Sequence, residues 1–535
     1  MHVASSFRSH SSPSSKETDS LRRSLLGVLM ALGLVLGVVA AAPAGADTKS
    51  LPSLVKTSNI RKHQKALQQI SDANGGNRAV GSPGYEISVK YVKDQLKRAG
   101  YKPVEQEFNY PYYEQTAPTV FEQVSPNAKA YAETTDAGAT GDFGTFDFSG
   151  NGDVTAPIGV VDPDSADSGC EAADFAGFTA GNIALVKRGT CFFEDKARNA
   201  VAAGAVGILI YNDAADPTRE GPVVGTLGVP FTIPAAGPSA AVGQELVGLA
   251  AQGPVTVHLK TTVINEERTS KNVIADWSPK GARKDNVIVV GAHLDSVPEG
   301  PGINDNGSGT ATNLEIAKQL TKLGKNDVKN TVRFGFWGAE ELGLWGSTRY
   351  VESLSDEELA KVALNLNFDM LGSPNFARLV YDGDDTLEES PIVPPAGSGA
   401  IEKTFVDYFA KRGLATEPTA FNGRSDYQAF IFAGIPAGGL FSGAEEIKTA
   451  EQVELYGGTA GVAFDPCYHQ ACDDYDNNSN TGLGQLSDGA AFAVQKYAKS
   501  TLTVNGVARA QAQAQAKAQV AKSGGFDFKG HKQAK

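Results

Sequence analysis

Apolar positions from residue 53 to about 70 recur three and four apart, the spacing that lines one face of a helix, until "NGGNRAVGSPGY" breaks the pattern. A second helix is predicted over 86–99, ending at Gly100, where a glycine C-cap suits the chain reversal. Extended segments are expected over 103–110 and 119–122. From about residue 135 short strand-like runs dominate ("APIGVVD", "NIALVKRG"), and a helix over 193–204 leads into the apolar strand "AVGILIYND". After Thr261 strand and helix alternate. "KNVIADW" and "DNVIVVGAHLD" predict a strand pair joined by the turn-rich "SPKGARK". A helix over 310–323, the buried strand "TVRFGFWGAEE", a helix over 345–354 and the strand "VALNLNFDML" follow. A helix over 400–412, the strand "IPAGGLFSG" and a terminal helix over 486–502 complete the series. Apolar strands separated by amphipathic helices predict an α/β three-layer sandwich around a mixed, largely parallel sheet, with a smaller β-rich domain inserted.

Length changes this picture little, since 535 residues exceed what one core holds and an inserted domain was already needed. The N-terminus reads as an export signal over 1–46: Arg22 and Arg23 precede an apolar run over 25–39, and Ala44-Gly45-Ala46 offers a cleavage site. The competing reading is an uncleaved anchor; the glycines inside the run and the small residues after it favour cleavage, leaving no stable membrane association. The expected limits are then a first part of the main domain over 47–134, an insert over 135–261, the rest of the main domain over 262–505 and a low-complexity basic tail over 506–535. The net charge of −13 gives no surface for nucleic acid. Four cysteines in an exported chain read as two disulfides, with Cys170–Cys191 and Cys467–Cys472 the local pairs.

Candidate chemistry concentrates where strands are predicted to end, the place where α/β sheets build their sites. "AHLDS" carries His293 and Asp295, "GINDNGSG" Asp305, "WGAEELG" Glu340 and Glu341, "NFDM" Asp369, and "CYHQACDDYD" His469 between two cysteines. The chain has only seven histidines, so this placement is notable. Buried carboxylates that lack partners cost several kcal/mol each, on the order of 3–5 for an uncompensated charge, and a bound cation removes that cost. Imidazole with carboxylate suits zinc or a similar divalent ion.

The segments "GAHLDSV", "GINDNGSG", "WGAEELGLWGS", "NFDMLGSPN", "GRSDYQAF" and "DPCYHQACD", with "GGNRAVGSPGY" upstream, resemble the bacterial secreted di-zinc aminopeptidases of the leucine-preferring type. "GNIALVKRGTCFFEDKARNAVAAGAVGILIYND" resembles the protease-associated domain inserted in many exported and vacuolar peptidases. The resemblance implies the zinc exopeptidase fold and two zinc ions, with Asp305 shared between them. His293 and Asp369 would complete one site, Glu341 and His469 the other. Glu340 would be the general base acting on a bridging hydroxide, and adjacent glutamates on an extended segment could divide these roles by pointing to opposite sides. Asp295 would accept the second N–H of His293. In the family the Asp305–Asn306 bond is cis, Tyr468 steadies the oxyanion, Arg424 contacts the substrate, and Met370 and Phe441 line the pocket for the first side chain. The insert would cover a cleft or help select substrates, or serve as a spacer.

Three functions compete: an exported aminopeptidase, expected as a monomer, acting on peptides with a free N-terminus; a carboxypeptidase or dipeptidase on the same scaffold; and a receptor that has lost catalysis. The last is disfavoured because all five ligand residues and Glu340 are present. A carboxypeptidase wants a cationic clamp, and Arg424 keeps that alternative open.

Overall fold

The computed structural model describes residues 50–135, 140–390 and 393–505. The export signal predicted over 1–46 and the basic tail over 506–535 lie outside them. The first predicted helix is split into Leu51–Leu54 and Thr57–Asp72. The second, Pro83–Arg98, begins where Ser82 accepts a hydrogen bond from the Tyr85 amide and Pro83 presets the first turn.

The chain then enters β1 (Val104–Ser125), a strand of 22 residues. The insert contributes β2 (Lys129–Ala130), β3 (Phe143–Thr145), β4 (Gly152–Val161), β5 (Ile183–Lys187), β6 (Gly207–Tyr211) and β7 (Ala235–Pro238). β8 (Thr256–Trp277) returns antiparallel along β1, from Ser125↔Thr256 to Val104↔Ile274. The two separate extended segments expected over 103–110 and 119–122 are therefore one strand. Within this strand Pro111 stands opposite Glu267, and Pro118 falls at the irregularity between Ala117 and Val120. The arms belong to both cores, and the limit expected at residue 261 falls within β8.

The remaining strands are β9 (Arg283–His293), β10 (Asn330–Trp337), β11 (Val362–Phe368), β12 (Leu379–Tyr381), β13 (Glu417–Thr419) and β14 (Ala437–Phe441). Neighbours run β13-β12-β14-β11-β9-β10-β8-β4-β5-β6-β7-β3. The strand pair expected from β8 and β9 does not form, because β10 lies between them, antiparallel to β8 and parallel to β9. "SPKGARK" thus links second neighbours. β9, β10, β11 and β14 are mutually parallel, and the sheet is mixed and mostly parallel.

Burial on both faces follows the strand period of two. In β9, Ile288 and Val290 pack with Leu314, Leu364 and Leu483 on one side, whereas Val287 and Val289 pack with Trp337, Tyr350 and Phe430 on the other. The insert sheet is likewise sandwiched between two apolar clusters, around Phe143 and Leu246 and around Phe146 and Phe193. Among the helical segments that escaped the periodicity reading are Ala240–Ala250, Asp356–Lys361, Tyr427–Phe432 and Ala450–Tyr456. Tyr427–Phe432 is buried almost all round, so it has no polar face to reveal it. Among the described residues no helix is long and apolar enough to cross a membrane.

Candidate metal centre and active site

Strand register brings the site together. His293 is the last residue of β9 and lies level with Trp337, the last of β10, while Asn367 near the end of β11 lies level with Gly291. The carboxyl ends of three adjacent parallel strands therefore open at one height, each followed by an acid-bearing loop. Asp305 reaches the same point from the segment before the helix Gly307–Leu320, whose cap is the Asn306 side chain, accepting from the Gly309 amide at 2.9 Å. Gly309 is required by this approach: a Cβ there would lie 2.1 Å from the Phe368 carbonyl oxygen. The Asp305–Asn306 peptide is cis.

Asp305 presents one oxygen to each side. Its Oδ1 lies 3.1 Å from His293 Nε2, which is also 3.2 Å from Asp369 Oδ1. Its Oδ2 lies 3.3 Å from His469 Nε2, which is also 3.1 Å from Glu341 Oε2. Two triads thus share one carboxylate, and within each the facing donor atoms all fall within 4.8 Å of one another. Glu340, with His293 and Glu341, meets the same 4.8 Å limit from the side. All five sequence-predicted ligand residues converge.

The electrostatics are those of a site short of positive charge. Burial alone would raise Asp305, but hydrogen bonds from His293 and His469 outweigh it and hold the carboxyl well below the usual range. Burial, reinforced by the Asp305 charge, pushes Glu341 up to about 7. Burial also lifts Glu340 far above an ordinary glutamate, with Glu341, Asp369 and Asp426 adding to the effect and His293 opposing it. Without cations these carboxylates compete for protons with one another and with two imidazoles. Glu341 Oε1 is buried and makes no hydrogen bond. This donor set fits divalent cations that prefer nitrogen and oxygen ligands.

Supporting groups differ in part from those expected. Asp295 was expected to take the second N–H of His293 on its carboxylate. Instead His293 Nδ1 lies nearest the Asp295 main-chain carbonyl, at 3.2 Å, with the carboxylate at 3.7 Å. That carboxylate accepts from the amides of Glu340 and Glu341, both at 3.3 Å, and so sets the two glutamates. These glutamates occupy a bend beyond β10 rather than an extended segment, and Ala339 before them has φ +55°. Their side chains are set by a turn, not by strand alternation. Met370 and His469 also adopt positive φ, +48° and +56°, so left-handed backbone recurs at the site.

Several residues around the ligands were not singled out from the sequence, although Ser425, Asp473 and Arg78 lie within the quoted segments. Ser425 donates to Asp369 Oδ2 at 2.6 Å and accepts from Asn367 Nδ2 at 2.8 Å. Asp473 accepts from the amides of Asn304 and Asp305 at 2.8 and 2.9 Å, tying the segment after Cys472 to the shared carboxylate. Fully buried Arg78, within the quoted "GGNRAVGSPGY", donates to the carbonyls of Leu294, Pro301 and Gly302 and pins the loop between His293 and Asp305. Lys448, also buried, donates to the carbonyls of Asn375, Phe376 and Gly457 at 2.9, 2.7 and 2.8 Å. Each is found only by tracing which backbone or carboxylate groups need a partner.

A cleft beside the triads is lined by Glu340, Asp369, Met370, Tyr381, Arg424, Phe441 and Tyr468. Met370, Phe441 and Tyr381 are among its apolar lining residues; Tyr381 was not anticipated. The Tyr468 ring stacks on His469, centroids 3.9 Å apart, and its hydroxyl accepts from Arg424 Nη2 at 3.2 Å. Cys467–Cys472 and Cys170–Cys191 are both disulfides; the first encloses Tyr468 and His469.

The profile of peptidase family M28 matches residues 272–494 and that of the PA domain residues 153–246. An aminopeptidase of Pseudomonas aeruginosa is 43% identical over 462 residues, covering 85% of this chain and 83% of the other. The Aspergillus fumigatus "Probable leucine aminopeptidase 2" is 42% identical over 458 residues, covering 84% and 85%. Among solved structures, a zinc aminopeptidase from Bacillus subtilis superposes with a TM-score of 0.55 at 26% identity, covering 83% of this chain and 95% of that one. Likeness along most of both chains, together with acid- and histidine-bearing loops gathered at the strand ends, makes this chain a member of peptidase family M28 with a PA domain ahead of its catalytic segments.

Proposed function

We propose that the protein is a secreted, monomeric metallo-aminopeptidase that removes large apolar, leucine-like residues from the N-terminus of peptides and proteins. The observation that carries this reading is the pair of histidine–carboxylate triads sharing Asp305, one oxygen apiece, beside a cleft whose lining includes apolar side chains. His293, Asp305 and Asp369 would hold one zinc ion, and Asp305, Glu341 and His469 a second. Bound there, the ions would supply Lewis acidity to the scissile carbonyl and make water a nucleophile at neutral pH. Glu340, its carboxyl pushed up by burial, takes the proton from the attacking water on a carboxylate oxygen and passes it to the departing amine. The Tyr468 hydroxyl, kept protonated by burial, donates to the oxyanion. Glu340 and Asp369 attract the substrate's α-ammonium, and Met370, Tyr381 and Phe441 shield the first side chain from water. Two observations on relatives support the reading: the Pseudomonas and Aspergillus proteins are named aminopeptidases, and the Bacillus enzyme is a zinc aminopeptidase. The export signal and the two disulfides support secretion.

The carboxypeptidase alternative loses ground because Arg424, its only candidate clamp in the cleft, already faces Glu445. The test is zinc analysis of the purified protein with hydrolysis of leucine-p-nitroanilide before and after chelation, beside a peptide acetylated at its N-terminus. Zinc-dependent cleavage of the free peptide alone is expected. Equal cleavage of the blocked peptide, or activity unaffected by metal removal, refutes the proposal.

A further inference from the structure

Arg424 is the cation in the lining of the cleft, and the structure engages it before any substrate arrives. Its Nη1 lies 2.7 Å from Glu445 Oε1 and its Nη2 lies 3.2 Å from Glu445 Oε2, a two-pronged pair in which each nitrogen meets its own oxygen. Nη2 also donates to the Tyr468 hydroxyl at 3.2 Å. The base of the arginine is fixed as well: its amide donates to Asn422 Oδ1 at 3.1 Å, and Asn422 Oδ1 accepts from the Tyr427 hydroxyl at 2.9 Å. Glu445 stands at the rim, its side chain about half exposed, whereas that of Arg424 is only 27% exposed. The neighbouring Glu446 lines the same cleft.

We infer that Glu445 is a specificity-determining residue that masks Arg424 against carboxylates. This rests on the aminopeptidase reading. A scissile carbonyl placed at the Tyr468 hydroxyl lies next to the guanidinium. In a dipeptide the terminal carboxylate is one residue further along, and in the released amino acid the new carboxylate replaces the scissile carbonyl itself. An unmasked guanidinium offers such a carboxylate two parallel N–H donors, the geometry that binds carboxylates best. With Glu445 occupying those donors, and with Glu446 adding negative charge, a free carboxylate meets repulsion where it would otherwise be clamped. Specificity here arises from a filled site rather than an added contact. The enzyme is thereby directed towards longer peptides, whose backbone at this point is neutral, and sheds its amino-acid product.

The experiment compares Glu445→Gln with the unaltered protein, both zinc-loaded, on leucyl-glycine and leucyl-glycinamide, which differ only in the terminal charge. The ratio of kcat/KM for the acid to that for the amide should rise about tenfold in the variant, the scale of one hydrogen bond to a charged group. Inhibition by L-leucine should tighten by a similar factor, about tenfold, while that by neutral L-leucinol should not. Adding Arg424→Ala to Glu445→Gln should cancel the rise. Glu445→Asp, which keeps the charge, should hold the ratio near that of the parent and guards against a folding effect of the amide. An unchanged acid-to-amide ratio in Glu445→Gln overturns the inference, as does an equal loss on both substrates, which would assign Glu445 to positioning Tyr468. Failure of the parent protein to cleave either substrate would overturn the aminopeptidase reading itself, a result distinct from both.

Discussion

Removing the Ser425 hydroxyl tests how the protein prepares one half of the proposed metal centre. The serine stands in a chain of two hydrogen bonds, Asn367 Nδ2 to Ser425 Oγ at 2.8 Å and Ser425 Oγ to Asp369 Oδ2 at 2.6 Å. This leaves Asp369 Oδ1 to face His293. In Ser425→Ala the neutral bond accounts for about 0.5–1.5 kcal/mol and the bond to the carboxylate for about 1.5–3 kcal/mol. The first is felt by folding. The second is felt mainly by the ion, because an Asp369 freed to rotate must be re-ordered at each binding event, and groups that orient ligands are worth about 10–100-fold in metal affinity. Zinc content measured after dialysis against buffers of stepped free zinc should show one ion lost at about 10–100-fold higher free zinc than in the parent. The deficit in leucine-p-nitroanilide hydrolysis should shrink as zinc is raised. If the zinc curve is superimposable on the parent's and only thermal stability falls, Ser425 is a packing residue and the argument for a pre-set Asp369 fails.

Glu340→Gln should retain zinc and fold normally while kcat falls about 10²–10⁴-fold, the worth of a general base; normal turnover would reassign the base. Opening the Cys467–Cys472 ring by Cys467→Ser with Cys472→Ser should reduce activity before stability, since so small a ring (sequence separation 5) is worth only about 2 kcal/mol against unfolding. Unchanged kcat/KM in that variant would show that the ring does not hold His469. Lys448→Met strands two buried carbonyls, those of Asn375 and Phe376, at about 1–3 kcal/mol each. Its urea midpoint should therefore drop sharply, and a midpoint equal to the parent's would show that these carbonyls find other partners.

What could be read from the chain and what could not divide along a physical line. Buried parallel strands announce themselves through largely apolar runs, so β9, β10 and β11 and the acids beyond them were legible, and so was the convergence of His293, Asp305, Glu341, Asp369 and His469. Strand adjacency was not. Nothing local in β8 and β9 says that β10, some forty residues later, will lie between them. The role of Asp295 was legible only in part for a related reason. Its carboxylate stays 3.7 Å from His293 Nδ1, but it also meets two amides from another loop, at 3.3 Å each. Arg78, Ser425, Asp473 and Lys448 satisfy backbone or ligand groups distant in sequence, and such needs become visible only once the loops are in place.

The paired arms β1 and β8 bear on how this architecture can be rebuilt. Because Tyr113 stands opposite Asn265 and every neighbour alternates faces, an exchange of the PA domain with that of a relative must cut both arms at partnered positions. A junction offset by one residue on a single arm would turn each later side chain inside out. Chimaeras joined at matched rungs should keep the paired stem, whereas a junction at residue 272, where the M28 profile begins, would cut β8 partway.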